Sequence, residues 1–152
     1  MSDIRRAGGE HAFGYTAIAE MNGAHADMLM DFGVLRMKKG DTFHDDRRLE
    51  KAYLLVYGEV EFAFDGQKHV QYRENCFDVP PTALHVDENT AVTLTALSDE
   101  CEINVMRTDN PRAFPARLYL PSDTPDEYRG KGTMHETSTR IVRTIFDYRN
   151  AP

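Results

Sequence analysis

The sequence predicts an all-β domain, and three observations carry that expectation. Apolar and polar residues alternate with a period of two over most of residues 25–108. Turn-forming residues interrupt the alternation about every eight to twelve positions, the spacing of an antiparallel sandwich or small barrel rather than of a parallel α/β sheet. The same region lacks the 3.6-residue period of an amphipathic helix.

The elements follow in chain order. Met28 to Met37 reads as a strand, closed by the turn Lys38-Lys39-Gly40-Asp41. Lys51 to Tyr57, Val60 to Asp65 and Lys68 to Tyr72 come next, with Gly58-Glu59 and Asp65-Gly66 as two-residue hairpin connections. Asn75 to Val79 reads as a further strand and runs into Pro80-Pro81. Ala91 to Leu97 and Glu102 to Arg107 complete the series around the polar turn Ser98-Asp99-Glu100. Beyond it, Pro111, Pro115, Pro121 and Pro125 gather in one segment that ends in Gly130-Lys131-Gly132. Proline cannot donate to a ladder, so this segment is expected to lie over the domain as an extended arm. Arg140 to Asp147 is strand-like again, with no hairpin partner after it.

Composition bounds the function classes. A chain of 152 residues supports one domain with a sizeable core. The 25 Asp and Glu outweigh 18 Lys and Arg, and the basic residues are scattered, which argues against nucleic-acid partners and anionic membranes. Uncharged apolar runs such as Ala52 to Tyr57 are far too short to span a bilayer. The N-terminal Met-Ser-Asp-Ile-Arg-Arg stretch lacks the apolar core of an export signal, so a cytoplasmic location is expected. Cys76 and Cys101 have no CxxC spacing and are read as reduced thiols.

The chemistry-bearing stretch is Gly40-Asp-Thr-Phe-His44-Asp-Asp46-Arg-Arg-Leu-Glu50, followed by a strand and Gly58. It resembles the first cupin motif, an HxH pair with a glutamate four residues later and a glycine after the next strand. His44, Asp46 and Glu50 stand at those positions, the second histidine having become Asp46. Pro80-Pro81-Thr82-Ala83-Leu84-His85 resembles the PxGxxH core of the second motif, with Thr82 in place of glycine. The resemblance implies a cupin-type double-stranded β-helix, a jelly-roll barrel within residues 1–108, with 109–152 as Pro-rich connector and terminal strand. Inward side chains of a small barrel converge, so His44, Asp46, Glu50 and His85 are the candidate ligands of a divalent metal, Mn²⁺, Fe²⁺, Ni²⁺ or Zn²⁺. The alternative, and the expectation adopted, is a degenerate, metal-free cupin, because Asp45, Arg47 and Arg48 make a polar loop of the motif. His11, His25, His69 and His135 are read as solvated, and the methionines as core filling.

The order of elements as a whole resembles the N-terminal half of the bacterial 5-deoxy-glucuronate isomerase family of myo-inositol catabolism, a two-cupin protein. Tyr128-Arg-Gly-Lys-Gly132 and Thr137-Ser-Thr-Arg-Ile-Val-Arg-Thr-Ile-Phe-Asp147 with Asn150-Ala-Pro152 carry it, matching the family's passage toward its second cupin. The resemblance implies aldose–ketose isomerisation of a deoxy sugar acid supported by a divalent metal, whose ligands in the family lie in that second cupin. The expected partners are accordingly a sugar acid and a second cupin domain or another copy of this chain. Two functional expectations follow. One is a sugar-acid isomerase, or its N-terminal half, with Glu50 as catalytic base. The other is a non-catalytic cupin that oligomerises or binds sugar, a homo-oligomer formed through the edge of Ile141, Val142 and Ile145.

Overall fold

The computed structural model describes residues 11–151; the reading of the N-terminal stretch as lacking an export signal lies outside the described residues. The elements run β1 (Gly14–Ala19), β2 (Asp31–Lys38), β3 (Thr42–Asp45), β4 (Glu50–Phe64), β5 (Gln67–Arg73), β6 (Thr82–Val86), β7 (Val92–Ala96), β8 (Glu100–Thr108), β9 (Arg117–Tyr119), β10 (Glu127–Arg129) and β11 (Arg140–Val142). Every pairing among them is antiparallel. One barrel sheet has the order β1-β2-β8-β4-β6-β9, and the other is built from β3, β7, β4 and β5. Among the described residues no helix is long and apolar enough to cross a membrane.

Strand β4 belongs to both sheets. Its first half pairs with β6 and β8, its second half with β5 and β7. A bulge between Leu55 and Tyr57 separates the halves and switches which side chains point inward, from Lys51, Tyr53 and Leu55 to Val60, Phe62 and Phe64. The expected hairpin at Gly58-Glu59 is therefore not formed. Gly58 has φ +96°, and a Cβ there would lie 2.5 Å from Cys101 Cβ and 2.6 Å from the Glu100 carbonyl oxygen. The glycine admits the close approach of β8 rather than a reversal of the chain. At Asp65-Gly66 the reversal does occur, both residues having positive φ as a two-residue hairpin requires.

The sheets enclose a core of Leu35, Tyr53, Leu55, Phe62, Leu84, Leu94, Ile103 and Val105. Five strands lay hidden in the sequence, β10 among them within the segment read as an extended arm. β1, β3 and β9 are short, and β6 is buried at all five positions, so it shows no alternation. Conversely, Asn75 to Val79 forms a loop. The Asn75 side chain accepts from the backbone N–H groups of Phe77 and Asp78, and Arg73 donates to the carbonyls of Leu55, Cys76 and Val79, partners that compete with a ladder.

The Pro-rich segment does more than lie on the barrel, because β9 joins its first sheet beside β6. The closing strand is shorter than expected, and its partner precedes it: β11 pairs with β10 in a separate two-stranded sheet. Cys76 is exposed and Cys101 buried, and both are free thiols.

Candidate functional site

Residues 44–51 supply polar groups to opposite faces of the barrel wall, since side chains alternate along β3 and β4. Asp45 and Lys51 point inward and are 2% and 1% exposed. Asp45 Oδ2 accepts from Tyr53 Oη at 2.9 Å and from Arg107 Nε at 2.7 Å and Nη2 at 2.6 Å. Arg107 Nη1 donates to Tyr15 Oη at 3.1 Å, and the Tyr15 and Phe43 rings lie 5.1 and 6.0 Å from its guanidinium carbon. Tyr15 reaches it across Gly33, where any Cβ would stand 2.5 Å from the phenol. Lys51 Nζ donates to the Arg47 carbonyl at 2.7 Å.

This inner cluster is electrically strained and internally satisfied. Burial, reinforced by the neighbouring Asp45 charge and hydrogen bond, pushes the Tyr53 hydroxyl far above its ordinary value. Lys51 is lowered by burial, against the pull of Asp45. Burial works in the same direction on Arg107, but there the charge and hydrogen bonds of Asp45 prevail and raise it.

The outer cluster forms on the other face of the first sheet. His85 from β6, 4% exposed, lies 2.6 Å through Nε2 from Glu50 Oε1. Asn110 Nδ2 donates to Glu50 Oε2, also at 2.6 Å. His85 Nδ1 is buried with no hydrogen-bond partner. The imidazole is held between Phe114, at 4.6 Å, and Phe146, which stacks on it at 4.5 Å and 4°. Phe146 in turn meets Tyr119 at 5.3 Å. The arm thus roofs the His85–Glu50 pair.

Of the four ligands read from the sequence, the fold brings together two. Glu50 and His85 meet on the outer face of the first sheet. His44 is exposed on the second sheet, its Nδ1 2.9 Å from Thr93 Oγ1, and Asp46 is exposed in the loop after β3. The expectation that His44 and His85 converge inside the barrel is corrected: both face outward, on different sheets, because the inward positions belong to Asp45 and to Leu84 and Val86. Among the described residues no group of three or more His, Cys, Asp or Glu is arranged to hold a metal ion. His44 and Asp46 stand apart from the Glu50–His85 pair, so the four residues do not form one donor set for a divalent metal. Glu50, read as a base, has both oxygens engaged. Arg107, Asn110, Phe114 and Phe146 were missed, and Asp45 was read only as part of a polar loop. Both parities of Lys51 to Tyr57 are apolar, so nothing local in the sequence announces the inward face of Asp45 or the arm residues.

The KduI/IolB family profile matches residues 5–152 of this chain. Two relatives named 5-deoxy-glucuronate isomerase, from Geobacillus kaustophilus and Geobacillus thermodenitrificans, are each 25% identical over 115 residues. The match covers 73% of this chain but 41% and 42% of those relatives, so the chain spans about two-fifths of their length. An IolB-like protein from Salmonella typhimurium superposes with a TM-score of 0.74 at 24% identity, over 90% of this chain and 51% of that one. A cupin superfamily protein from Desulfitobacterium hafniense gives 0.50 at 14% identity, over 69% and 84%. The fold is therefore the cupin double-stranded β-helix that the two motifs implied.

Proposed function

The chain belongs to the KduI/IolB family, and from that premise we propose that it serves the isomerisation of 5-deoxy-glucuronate to 2-deoxy-5-keto-gluconate in the cytoplasm, a step of myo-inositol catabolism, as the metal-free cupin of that reaction. The observation that carries the second half of this reading is the Asp45–Arg107 pair. Aldose–ketose isomerisation moves a proton between neighbouring carbons and needs a base beside a group that stabilises the developing oxygen charge. In the inner cluster the carboxylate is spent on a buried cation, and in the outer one Glu50 is held by His85 and Asn110 beneath Phe114 and Phe146. Both arrangements hold structure in place. The metal and the base then belong to a second cupin, supplied by further chain or by a partner, and this barrel is its support.

Deleting the gene in its native host tests the reading. Growth on myo-inositol is expected to fail with 5-deoxy-glucuronate accumulating; normal growth without accumulation overturns the isomerase assignment. The purified chain with Mn²⁺ is expected to produce no 2-deoxy-5-keto-gluconate. Production that disappears in Glu50→Gln would move the chemistry into this barrel.

A further inference from the structure

The two-stranded sheet of β10 and β11 stands apart from the barrel sheets, and its outer strand is bare. Glu127, Tyr128 and Arg129 are all exposed, Tyr128 to 55%. Among the described residues β10 pairs with β11 alone, so the N–H and C=O groups on its other edge have no ladder partner. Such an edge is a template for another strand.

The side-chain pattern states which strand fits. Glu127 and Arg129 share one face, where Arg129 Nε and Nη2 donate to Glu127 Oε1 and Oε2, each at 3.0 Å. Tyr128 occupies the opposite face. Read backwards, Glu-Tyr-Arg becomes Arg-Tyr-Glu. A second copy laid antiparallel about a two-fold axis at Tyr128 sets Glu127 opposite the partner's Arg129, Arg129 opposite the partner's Glu127, and Tyr128 opposite the partner's Tyr128. Directly opposed residues in such a pair approach to about 5 Å between Cβ atoms, where opposite charges and aromatic pairs both stabilise.

The other edge of the small sheet lacks this property. Reversing Arg140-Ile141-Val142 places a guanidinium opposite valine. That strand also faces the barrel: Ile141, Arg143 and Ile145 line a cleft with Leu54, Phe77 and Pro81, and Arg143 donates to the carbonyls of Phe77 and Asp78. The sequence expectation of pairing through Ile141, Val142 and Ile145 therefore moves one strand outward.

We propose that two copies of this chain associate through β10, joining their small sheets into one of four strands in the order β11-β10-β10-β11. The interface is isologous, as a two-fold requires, and its specificity lies in the two reciprocal Glu127–Arg129 contacts. It stands independently of the isomerase reading, since it rests on the charge order of one strand.

Sedimentation velocity of the full chain between about 5 and 300 µM tests it. The weight-average mass is expected to rise from 17.3 kDa toward twice that value. Glu127→Arg opposes like charges at both contacts and is expected to weaken association about tenfold or more. The double variant Glu127→Arg with Arg129→Glu restores complementarity and is expected to return the dissociation constant to within about threefold of the original. An unchanged circular dichroism spectrum shows that each variant folds. A mass that stays at 17.3 kDa throughout, an association indifferent to Glu127→Arg, or a double variant as weak as the single one would each overturn the proposal.

Discussion

Asp45 and Glu50 are carboxylates of the same loop-and-strand segment, yet one ends inside the barrel and the other outside it, and they stabilise the fold in different ways. Asp45 is sealed inside with Arg107 and Tyr53, and every contact it makes belongs to the barrel. Glu50 lies outside and bridges the barrel to the arm, holding His85 on one oxygen and Asn110 on the other. The comparison teaches that the face a residue occupies decides its role. An inward charge must be neutralised on the spot, because burying it unpaired costs several kcal/mol. An outward group has water as an alternative partner, so the arm gains by covering it only when aromatic rings come too.

The sharpest way to break this contrast is at Asp45. Asp45→Ala leaves Arg107 buried without its counter-charge and is expected to cost about 3–5 kcal/mol in urea unfolding. Asp45→Leu combined with Arg107→Met removes both charges and is expected to recover most of that loss, since a well-packed apolar replacement escapes the desolvation penalty. A single-variant loss below about 1 kcal/mol would mean that water reaches the guanidinium and that the two regions are alike.

At the outer cluster the expected effect is smaller and more local. Phe146→Ala removes the ring stacked on His85 and its contact with Tyr119, at an expected cost of about 2 kcal/mol, given that the ring is only partly buried. The damage should stay in the arm. Amide hydrogen exchange is expected to accelerate across residues 110–150 while β4 and β8 keep their protection. Equal acceleration in the barrel strands would show that arm and barrel unfold as one unit.

What the sequence revealed follows from the same geometry. The alternation of β7 and β8 is clean because one face is core and the other is not, so these strands were legible. In Lys51-Ala-Tyr-Leu-Leu-Val-Tyr57 both parities are apolar, since the arm and neighbouring strands cover the outer side of β4 as the core covers the inner. The inward parity could not be read there, and with it went the distinction between Asp45 and Glu50. The glycine at 58 was visible but ambiguous, because a residue that permits a turn also permits a close approach, and only the position of Cys101 decides between them. The arm contacts join Glu50 to Asn110, and His85 to Phe146, across 60 and 61 residues of sequence. No local pattern records such a pairing. Family motifs located the right loop and strand but carried the parity of a metal site onto a segment where Asp45 faces inward.

The finest test of that parity is His44, the residue with the strongest claim from the motif and the least to do in the fold. It projects from the outer face of β3, where its one hydrogen bond, to Thr93, is itself exposed. Water replaces such a partner at almost no cost, so His44→Ala is expected to change stability by less than about 0.5 kcal/mol. His85→Ala should cost more, because it opens a gap between two phenyl rings and leaves Glu50 with one partner. The same pair of variants tests the ligand assignment. With His44 and His85 on different sheets, neither substitution should alter the metal content of untagged protein purified from Mn²⁺- or Zn²⁺-supplemented medium. A stoichiometric metal lost in both variants would require His44 and His85 to meet at one ion. The inward parity of Asp45 would then be wrong, and the contrast between the two faces would collapse with it.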